Sequence, residues 1–524
     1  MSNQMGKWNR REWLASGGIA AAASLELGRP AQAAPLEMTS KLYESLGVRS
    51  FINARGTFTI LTGSQSLPEV KQAMVEASRH FVHLDELMDA VGARIAELTR
   101  AEWGIVTAGC AAAISHATAA CIAGTDPEKM QRLPNLTGLK SEVVMPRYAR
   151  NVYDHAARMT GARIVNVDTE EQLKAALGPK AAMVLIMSCP AAENGPLSIE
   201  NTCRVARAAK VPVLVDAAAE ELMVPNIHLA HGATMVAYSG GKCLRGPQAA
   251  GLLLGPKDLL HAAWLNSAPH HAFGRSMKGG KEEIIGMLAA LEAWFHRDHA
   301  AEWREWNSWL AAIQEQVCRV PGVSATVIQP EDLSNRAPQL RLAWDSTKLG
   351  ITGAEAKAAI ESGTPRIMLA GGSGDRRGNT ESALEIMPYM LNPGEYKIVA
   401  QVLYAVLSHP PRIEIPALPA GEPARVTGAW RVLLTFSLGQ AAHQFTLQQD
   451  GGKLSGHHHT EMLEGDLHGR VDGNQIEFRS AHPYEGTVLE YAFSGTVQGE
   501  SMNGTVQLGE YGKAHWEAQR VAQS

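Results

Sequence analysis

The chain has few cysteines, and their spacing does not suggest a covalent framework. Six cysteines are spread over 524 residues, none forms a C-x-x-C pair, and none follows position 318. Disulfide scaffolds and structural zinc sites both depend on closely spaced cysteines, so neither is expected here. We interpret the six thiols as buried or incidental side chains.

Long apolar runs and an excess of basic charge are also missing. No segment approaches the roughly 20 apolar residues that a helix needs to cross a bilayer. The formal net charge is -5, from 48 Lys and Arg against 53 Asp and Glu. This charge does not favour a nucleic-acid partner, because binding to the phosphate backbone depends on basic side chains. The expected partner is a small molecule, and no stable membrane span is expected.

The length of the chain indicates more than one folding unit. A single hydrophobic core stops growing well before 524 residues, so two or three units are expected. Hydrophobic residues make up 45% of the chain and charged residues 19%, which is ordinary for a globular protein.

The first 33 residues differ in composition from the rest. Arg10 and Arg11 precede Trp13, an Ala- and Gly-rich stretch follows, and Ala31–Ala33 reads "AQA" like a cleavage site. This order is similar to a twin-arginine signal, although Asn9 and Trp13 depart from the usual pattern. The alternative is an ordinary amphipathic helix. The signal predicts partnership with the twin-arginine export machinery and a periplasmic or otherwise exported location after folding in the cytoplasm.

Short apolar segments alternate with helical ones over residues 41–407. Near-continuous Val, Ile and Leu strands between helices predict an α/β fold with a mainly parallel sheet covered on both faces. We assign residues 41–290 to a large domain and residues 291–408 to a connecting helix and a small α/β domain. Residues 281–317 read as one long helical run. The predicted strands of the large domain include "WGIVTAG", "EVVMP", "ARIVNV", "AAMVLIMS", "VPVLVDA", "MVAYSG" and "AGLLLG".

The last hundred residues have a different pattern. A proline-rich linker at 409–427 is followed, over 428–524, by short alternating segments separated by turn pairs such as Asp450-Gly451 and Asp472-Gly473. Period-2 segments with Asp-Gly turns are typical of antiparallel hairpins. They predict a small all-β barrel or meander. Adjacent histidines at 457–459 would point to opposite faces of a strand, so no metal site is expected there.

One lysine stands in an unusual setting. Lys242 follows the apolar segment "MVAYSG" and is surrounded by glycine, serine and proline in "SGGKCLRGPQ". Ligands of open parallel sheets bind at the carboxyl ends of the strands. A lysine at such an end can form a Schiff base with an aldehyde cofactor when its surroundings favour the neutral amine.

Two further features fall at strand ends. Asp216 closes the apolar strand "VPVLVDA", where a carboxylate needs a partner such as a protonated ring nitrogen. Gly109, Cys110 and Ala111 lead from a strand into a helix, whose free amides attract phosphate. Alone, Asp216 would suit a helix cap and Gly109 an ordinary turn. Together with Lys242 they predict pyridoxal 5'-phosphate, an aldehyde with a ring nitrogen and a phosphate.

The chain also resembles a known group of enzymes. The segments "SGGKCLRGPQAAGLLLG", "VPVLVDAAAEE" and "INARGTFTILTGS" look like those of selenocysteine synthase (L-seryl-tRNA selenium transferase) and D-glucosaminate-6-phosphate ammonia-lyase. These are fold-type I pyridoxal phosphate enzymes, with the aspartate aminotransferase fold. The resemblance, which spans about 41–407, implies that Lys242 binds the cofactor aldehyde and Asp216 the pyridine nitrogen. The resemblance also implies that the cofactor phosphate is contacted by Gly109, Cys110, Ala111 and Ser239.

The resemblance implies several other roles. His155 would stack on the cofactor ring, or else be an ordinary residue at a helix start. Asn53 and Arg55 would approach the substrate, and Arg366 would bind a substrate carboxylate or form an exposed ion pair. Enzymes of this fold usually build their sites at a subunit interface, which implies a homodimer or higher oligomer.

The reaction is less well determined than the cofactor. The lyase-like resemblance favours α,β-elimination from a small amino acid or amino-sugar acid, with release of ammonia. Aminotransferase, racemase and aldolase reactions on the same scaffold stay open, as does a non-catalytic binding protein. Selenocysteine synthase activity is disfavoured, because a tRNA partner conflicts with the acidic charge and the expected export.

Overall fold

The computed structural model describes residues 38–39, 41–374, 376, 379–413 and 421–521. The predicted signal at 1–33 lies outside the described residues, as does part of the predicted linker. The chain divides into two compact units, Met1–Phe51 and Ile52–Ser524. The described part of the first unit contains one 3-10 turn at Glu44–Leu46. All elements below belong to the second unit.

Strands and helices alternate through the first three quarters of this unit, and the rest is made of strands with one 3-10 turn at Gly509–Tyr511 among its described residues. The described strands are β1 (Ile52–Ala54), β2 (Trp103–Thr107), β3 (Glu142–Pro146), β4 (Arg163–Val167), β5 (Ala181–Met187), β6 (Val213–Asp216), β7 (Met235–Ser239), β8 (Gly251–Gly255), β9 (Ser324–Ile328), β10 (Gln339–Asp345), β11 (Ile367–Ser373), β12 (Glu381–Ile386), β13 (Gly428–Thr435), β14 (Gln440–Asp450), β15 (Lys453–His459), β16 (Glu464–Asp472), β17 (Gln475–Tyr484), β18 (Thr487–Gln498), β19 (Ser501–Gln507) and β20 (Lys513–Arg520). The described helices are α1 (Pro68–Ser78), α2 (Leu84–Thr99), α3 (Cys110–Ala123), α4 (Pro127–Arg132), α5 (His155–Arg158), α6 (Glu170–Ala176), α7 (Ile199–Ala208), α8 (Ile227–Ala230), α9 (Lys257–Leu265), α10 (Lys281–His296), α11 (His299–Val317), α12 (Ser346–Leu349), α13 (Gly353–Ser362) and α14 (Glu395–Ser408).

A seven-stranded sheet forms the centre of the large domain. Its order is β2-β8-β7-β6-β5-β3-β4. β8 runs antiparallel to both of its neighbours, and the other pairs are parallel. The apolar strands are buried on both faces, as the burial of every residue of β6 and β8 illustrates. This is the mainly parallel, doubly covered sheet that the sequence predicts, and the fold class is confirmed.

The small domain is built on a second sheet, of five strands in the order β1-β11-β12-β10-β9. β1 pairs in parallel with β11, with Ile52 opposite Ile367 and Ala54 opposite Leu369. The beginning of the segment predicted as the large domain therefore contributes an edge strand to the small sheet. Ile52 and Ala54 are buried in the core of the small domain, which explains this placement.

The helical run predicted at 281–317 is two helices, α10 and α11. Arg297 has an extended backbone, and Asp298 caps the second helix by accepting a hydrogen bond from the Ala301 N–H at 2.8 Å. Aspartate is a preferred N-cap residue, and this cap marks a break that apolar periodicity alone does not show.

The last eight strands, β13 to β20, form a closed antiparallel barrel. β13 pairs with β20 as well as with β14, which closes the sheet on itself. Residues alternate between buried and exposed along the strands, as the period-2 pattern predicts. Large aromatic side chains fill the interior: Trp430, Phe445, Phe478, Phe493 and Trp516.

The structure also bears on cross-links, metals and membranes. All six cysteines are free thiols. Among the described residues, no group of three or more His, Cys, Asp and Glu side chains has the geometry to hold a metal ion. Within the same ranges, no helix is both long and apolar enough to cross a membrane.

Candidate active site

A cavity of about 420 Å³ lies at the carboxyl ends of β2, β5, β6 and β7. These strands run in the same direction, so the residues that follow them meet at one edge of the sheet. Six residues predicted from the sequence line this cavity: Gly109, Cys110, Ala111, Asp216, Ser239 and Lys242.

Lys242 lies in a tight turn directly after β7. The Gly246 N–H donates to Gly240 O at 2.8 Å, and the Arg245 N–H donates to Lys242 O at 3.0 Å. A Cβ atom at Gly241 would lie 2.8 Å from Gln248 Cα, closer than such contacts allow. Glycine is therefore required for the turn to fold back on itself and present the lysine.

The surroundings of Lys242 favour the neutral form of its amine. Its side chain is partly buried, and Nζ has no hydrogen bond or ion pair within the described ranges. Burial lowers the pKa of Lys242, and the nearby negative charge of Asp216 offsets only part of this effect. A lowered pKa increases the fraction of neutral amine, which is the nucleophilic and proton-accepting form.

Asp216 is the last residue of β6, and its carboxyl group is buried. Oδ1 accepts hydrogen bonds from the Ala218 N–H at 3.1 Å and from the Cys110 S–H at 3.6 Å. Among the described residues, no donor reaches Oδ2. Burial raises the pKa of Asp216, and the charge of Glu220 adds to this effect. A cationic N–H donor in the cavity would offset this penalty and stabilise the carboxylate.

Cys110 supports Asp216 rather than acting as a nucleophile. Burial raises the pKa of its thiol, and the adjacent negative charge of Asp216 raises it further. The sulfur therefore keeps its proton at neutral pH and donates it to Asp216 Oδ1.

The helix that begins at Cys110 points its amino end at the cavity. Gly109 is the N-cap, with φ at +91°, and no side chain of the described residues caps the helix. The first amides of an uncapped helix have no partner within the helix, and the positive end of its dipole attracts anions. Gly251 packs against this loop, where a Cβ atom would lie 2.4 Å from the Gly109 carbonyl carbon.

The aromatic residue at the cavity is Tyr153, not His155. Asn151 accepts the Tyr153 N–H on Oδ1 at 2.8 Å and caps a 3-10 turn at Val152–Asp154. This turn directs Tyr153 to the cavity, whereas His155 is exposed at the start of α5 and does not line it. The structure therefore does not bring His155 to the position that the resemblance implies. The sequence signal that could have identified the cavity residue is the aromatic side chain of Tyr153, two positions before His155.

A loop of the small domain completes the cavity wall and was not predicted. Asn335 N–H donates to Ala219 O at 2.8 Å, and Glu221 N–H donates to Leu333 O at 3.1 Å. These bonds place Asp332, Ser334 and Asn335 at the cavity. The loop has no periodic pattern, so no local signal in the sequence indicates this docking.

Three other predicted residues lie away from the cavity lining. Asn53 Oδ1 accepts the N–H groups of Arg55 and Gly56, each at 3.0 Å. The Arg55 guanidinium lies 4.8 Å from the centre of the Phe58 ring. Arg366 donates from Nε to Glu361 O at 3.1 Å. Their roles in substrate binding stay predictions.

The side chains at the cavity fit pyridoxal 5'-phosphate. Lys242 offers an amine with a lowered pKa, Asp216 a carboxylate with one oxygen open to a cation, and α3 an uncapped amino end. These three groups match the aldehyde, the ring nitrogen and the phosphate of the cofactor. The cavity volume lies within the range of about 300–1,000 Å³ that is usual for small-molecule sites.

Comparison with known proteins gives two relatives and one similar solved structure that bear on this site. D-glucosaminate-6-phosphate ammonia lyase of Salmonella typhimurium (strain 14028s / SGSC 2262) is 34% identical over 337 residues, which are 62% of this chain and 88% of that protein. The 5'-C-glycyluridine monooxygenase-decarboxylase of Streptomyces sp is 31% identical over 383 residues, 70% of this chain and 92% of that protein. A solved structure of D-glucosaminate-6-phosphate ammonia-lyase superposes with a TM-score of 0.62 at 30% identity, covering 71% of this chain and 99% of that one. No family model matches the chain.

Proposed function

Because the chain belongs to the family of D-glucosaminate-6-phosphate ammonia lyase, with the fold of type I pyridoxal phosphate enzymes, we propose that it is a pyridoxal 5'-phosphate-dependent lyase. Its substrate class is a small amino acid or amino-sugar acid, from which it releases ammonia. The observation that carries this proposal is the meeting of Lys242, Asp216 and the amino end of α3 at one cavity.

Lys242 has two tasks in this proposal. Bound pyridoxal 5'-phosphate supplies an aldehyde that bonds to amines and a ring that stabilises negative charge at the substrate α-carbon. Lys242 Nζ would hold the cofactor through its aldehyde. The lowered pKa of the same amine would favour its neutral form, which can accept a proton from the substrate α-carbon.

Asp216 and the loop at Gly109 hold the cofactor in place. Asp216 Oδ2 would accept a hydrogen bond from the ring N–H and favour the protonated nitrogen, while the Cys110 S–H donates to Oδ1 and stabilises its negative charge. The first amides of α3 and the hydroxyl of Ser239 would bind the phosphate. Asp332, Ser334 and Asn335 offer hydrogen-bonding groups suited to the hydroxyls of an amino-sugar acid.

The covalent task of Lys242 is tested by mapping the site of reduction. Borohydride treatment of the protein with bound cofactor is expected to fix a pyridoxyl group on Lys242, which peptide mass spectrometry locates. Lys242→Ala should abolish the label, and Lys71→Ala, on the exposed face of α1, should leave it unchanged. Attachment to another lysine would contradict the assignment.

The reaction type is tested by its products. D-Glucosaminate and its 6-phosphate are expected to give ammonia and a 2-oxo acid in equal amounts. Because one relative is named a monooxygenase-decarboxylase, the release of carbon dioxide and the uptake of oxygen are measured in the same reactions. Product formation that requires an added 2-oxo acid, or inversion without ammonia, would instead indicate an aminotransferase or a racemase.

Export is proposed from the sequence, and assembly from the fold. The paired arginines at 10 and 11 support twin-arginine export to the periplasm, and the fold supports a homodimer or higher oligomer. Replacing both arginines by lysine should retain the protein in the cytoplasm, which cell fractionation measures.

A further inference from the structure

The C-terminal barrel contacts the large domain through the turn between β17 and β18. Glu485 Oε2 accepts a hydrogen bond from Arg150 Nη2 at 2.6 Å. Gly486 lies directly against Asn151 and Asp154, where an added Cβ atom would be 2.0 Å from Asn151 O and 2.4 Å from Asp154 Oδ2. The fit at Gly486 leaves no space for a side chain, so the barrel and the large domain are closely apposed here.

The surface that receives this turn is held by a network of ion pairs. The Asp154 side chain is fully buried and accepts from Arg150 Nε at 2.6 Å and from Arg158 Nε at 3.0 Å. Arg150 also donates from Nη1 to Asn166 Oδ1 at 2.7 Å. Charge-assisted hydrogen bonds of this kind fix geometry as well as charge, so a displacement at Arg150 or Asp154 is shared by the whole receiving segment.

The same short segment carries the aromatic residue of the active site. Tyr153 lies between Asn151 and Asp154, the two residues that Gly486 touches. Its N–H donates to Asn151 Oδ1, and Tyr153 lines the cavity together with Lys242 and Asp216. About half of Tyr153 is exposed, so it is only partly enclosed by its neighbours.

We propose that the β17–β18 turn of the barrel is a positioning element of the active site. By packing Gly486 on the turn at Val152–Asp154, and by pairing Glu485 with Arg150, it holds Tyr153 against the bound cofactor. The barrel thereby contributes to the geometry of the cofactor site. This inference rests on the proposed function, because it concerns the same cofactor.

The proposal predicts that cofactor binding responds to changes in the barrel. Gly486→Ala creates an overlap with the backbone oxygen of Asn151. Because no side-chain rotation can relieve this overlap, the β17–β18 turn and the turn at Val152–Asp154 must move relative to each other. We expect the dissociation constant for pyridoxal 5'-phosphate to rise by about tenfold or more. We also expect the visible circular dichroism of the bound cofactor to fall, because this signal reports the asymmetry of the groups around the ring.

A charge reversal gives an independent test at the same contact. Glu485→Arg places two guanidinium groups together at Arg150 and leaves the glycine unchanged. The matched controls are Gly178→Ala, where a Cβ atom meets nothing within 4 Å, and Glu510→Arg, at an exposed barrel position. Hydrogen exchange of barrel peptides verifies that each variant is folded.

The possible outcomes separate this inference from the proposed function. If folded Gly486→Ala or Glu485→Arg shows weaker cofactor binding and lower visible circular dichroism than both controls, the positioning role is supported. If these folded variants keep wild-type values, or change no more than the controls do, the positioning role is overturned. A wild-type protein that does not bind the cofactor at Lys242 would instead overturn the proposed function.

Discussion

The barrel encloses three histidines whose burial makes its stability dependent on pH. The side chains of His443, His458 and His482 are buried among the aromatic residues of the interior. His443 Nδ1 lies 2.8 Å from His458 Nε2, and His458 Nδ1 lies 2.7 Å from Ser480 Oγ. His482 Nε2 lies 3.0 Å from His458 Nδ1. Three neutral imidazoles satisfy these contacts, with one ring donating to the next.

Burial is the main reason that the folded barrel disfavours protonation of these rings. It lowers the pKa of His443 to about 4 and that of His458 to about 2, and neighbouring imidazoles add to the effect. The pKa of His482 is lowered by the same cause. In the unfolded chain each ring titrates near its ordinary value of about 6.5.

The sign of the pH effect follows from these shifts. Below pH 6.5 the unfolded chain binds protons that the folded barrel excludes, so stability is complete above that pH and falls as the pH decreases. Each such ring contributes a slope of about 1.4 kcal/mol per pH unit. Between pH 6 and 4.5, His443 and His458 together remove about 4 kcal/mol, a large fraction of the ~5–15 kcal/mol typical of a domain.

Hydrogen–deuterium exchange measures this loss strand by strand. We expect the free energy of opening of barrel peptides, corrected for intrinsic rates, to fall steeply below pH 6.5. His458→Leu removes one titrating group and should reduce the slope by about 1.4 kcal/mol per pH unit. His457→Gln, on the same strand but facing outward, should keep the wild-type slope. A flat profile in the wild type, or equal slopes in wild type and His458→Leu, would refute the reasoning.

Two further predictions concern the active site. Gly251→Ala places a Cβ atom 2.4 Å from the Gly109 carbonyl carbon and should weaken pyridoxal 5'-phosphate binding roughly tenfold in an equilibrium titration. Gly178→Ala is the control, and equal affinities would show that the loop at Gly109 does not bind the phosphate. Tyr153→Ala should reduce the visible circular dichroism of the bound cofactor, and His155→Ala should not. The opposite result would restore His155 to the role that the family resemblance implies.

The centre of the site could be predicted from the sequence because it depends on local patterns. The end of each buried strand is indicated by the end of its apolar run in the sequence. The carboxyl ends of parallel strands meet at one edge of the sheet. Asp216 ends such a strand, Lys242 follows another, and Gly109 marks the change from strand to helix. Their meeting at one cavity therefore follows from the positions of the strand ends, without knowledge of long-range contacts.

The rim of the site could not be predicted in the same way. The choice between Tyr153 and His155 depends on a 3-10 turn capped by Asn151, and apolar periodicity does not define the direction of a single turn. Asn335 reaches the cavity through a hydrogen bond to Ala219, more than one hundred residues earlier in the chain. Only tertiary packing sets such a contact, so a single sequence does not reveal it.

One glycine shows how the antiparallel strand connects the parts of the site. β8 runs against its neighbours, so its first residue, Gly251, lies at the edge where the other strands end. Gly251 pairs with Thr107 on one side and with Ser239 on the other. The first neighbour precedes the loop at Gly109, and the second precedes the turn of Lys242. A larger residue at Gly251 would push the loop away from the sheet and change its distance from the lysine. The spacing between the groups proposed to bind the phosphate and the aldehyde is thus set by the absence of a side chain at one position.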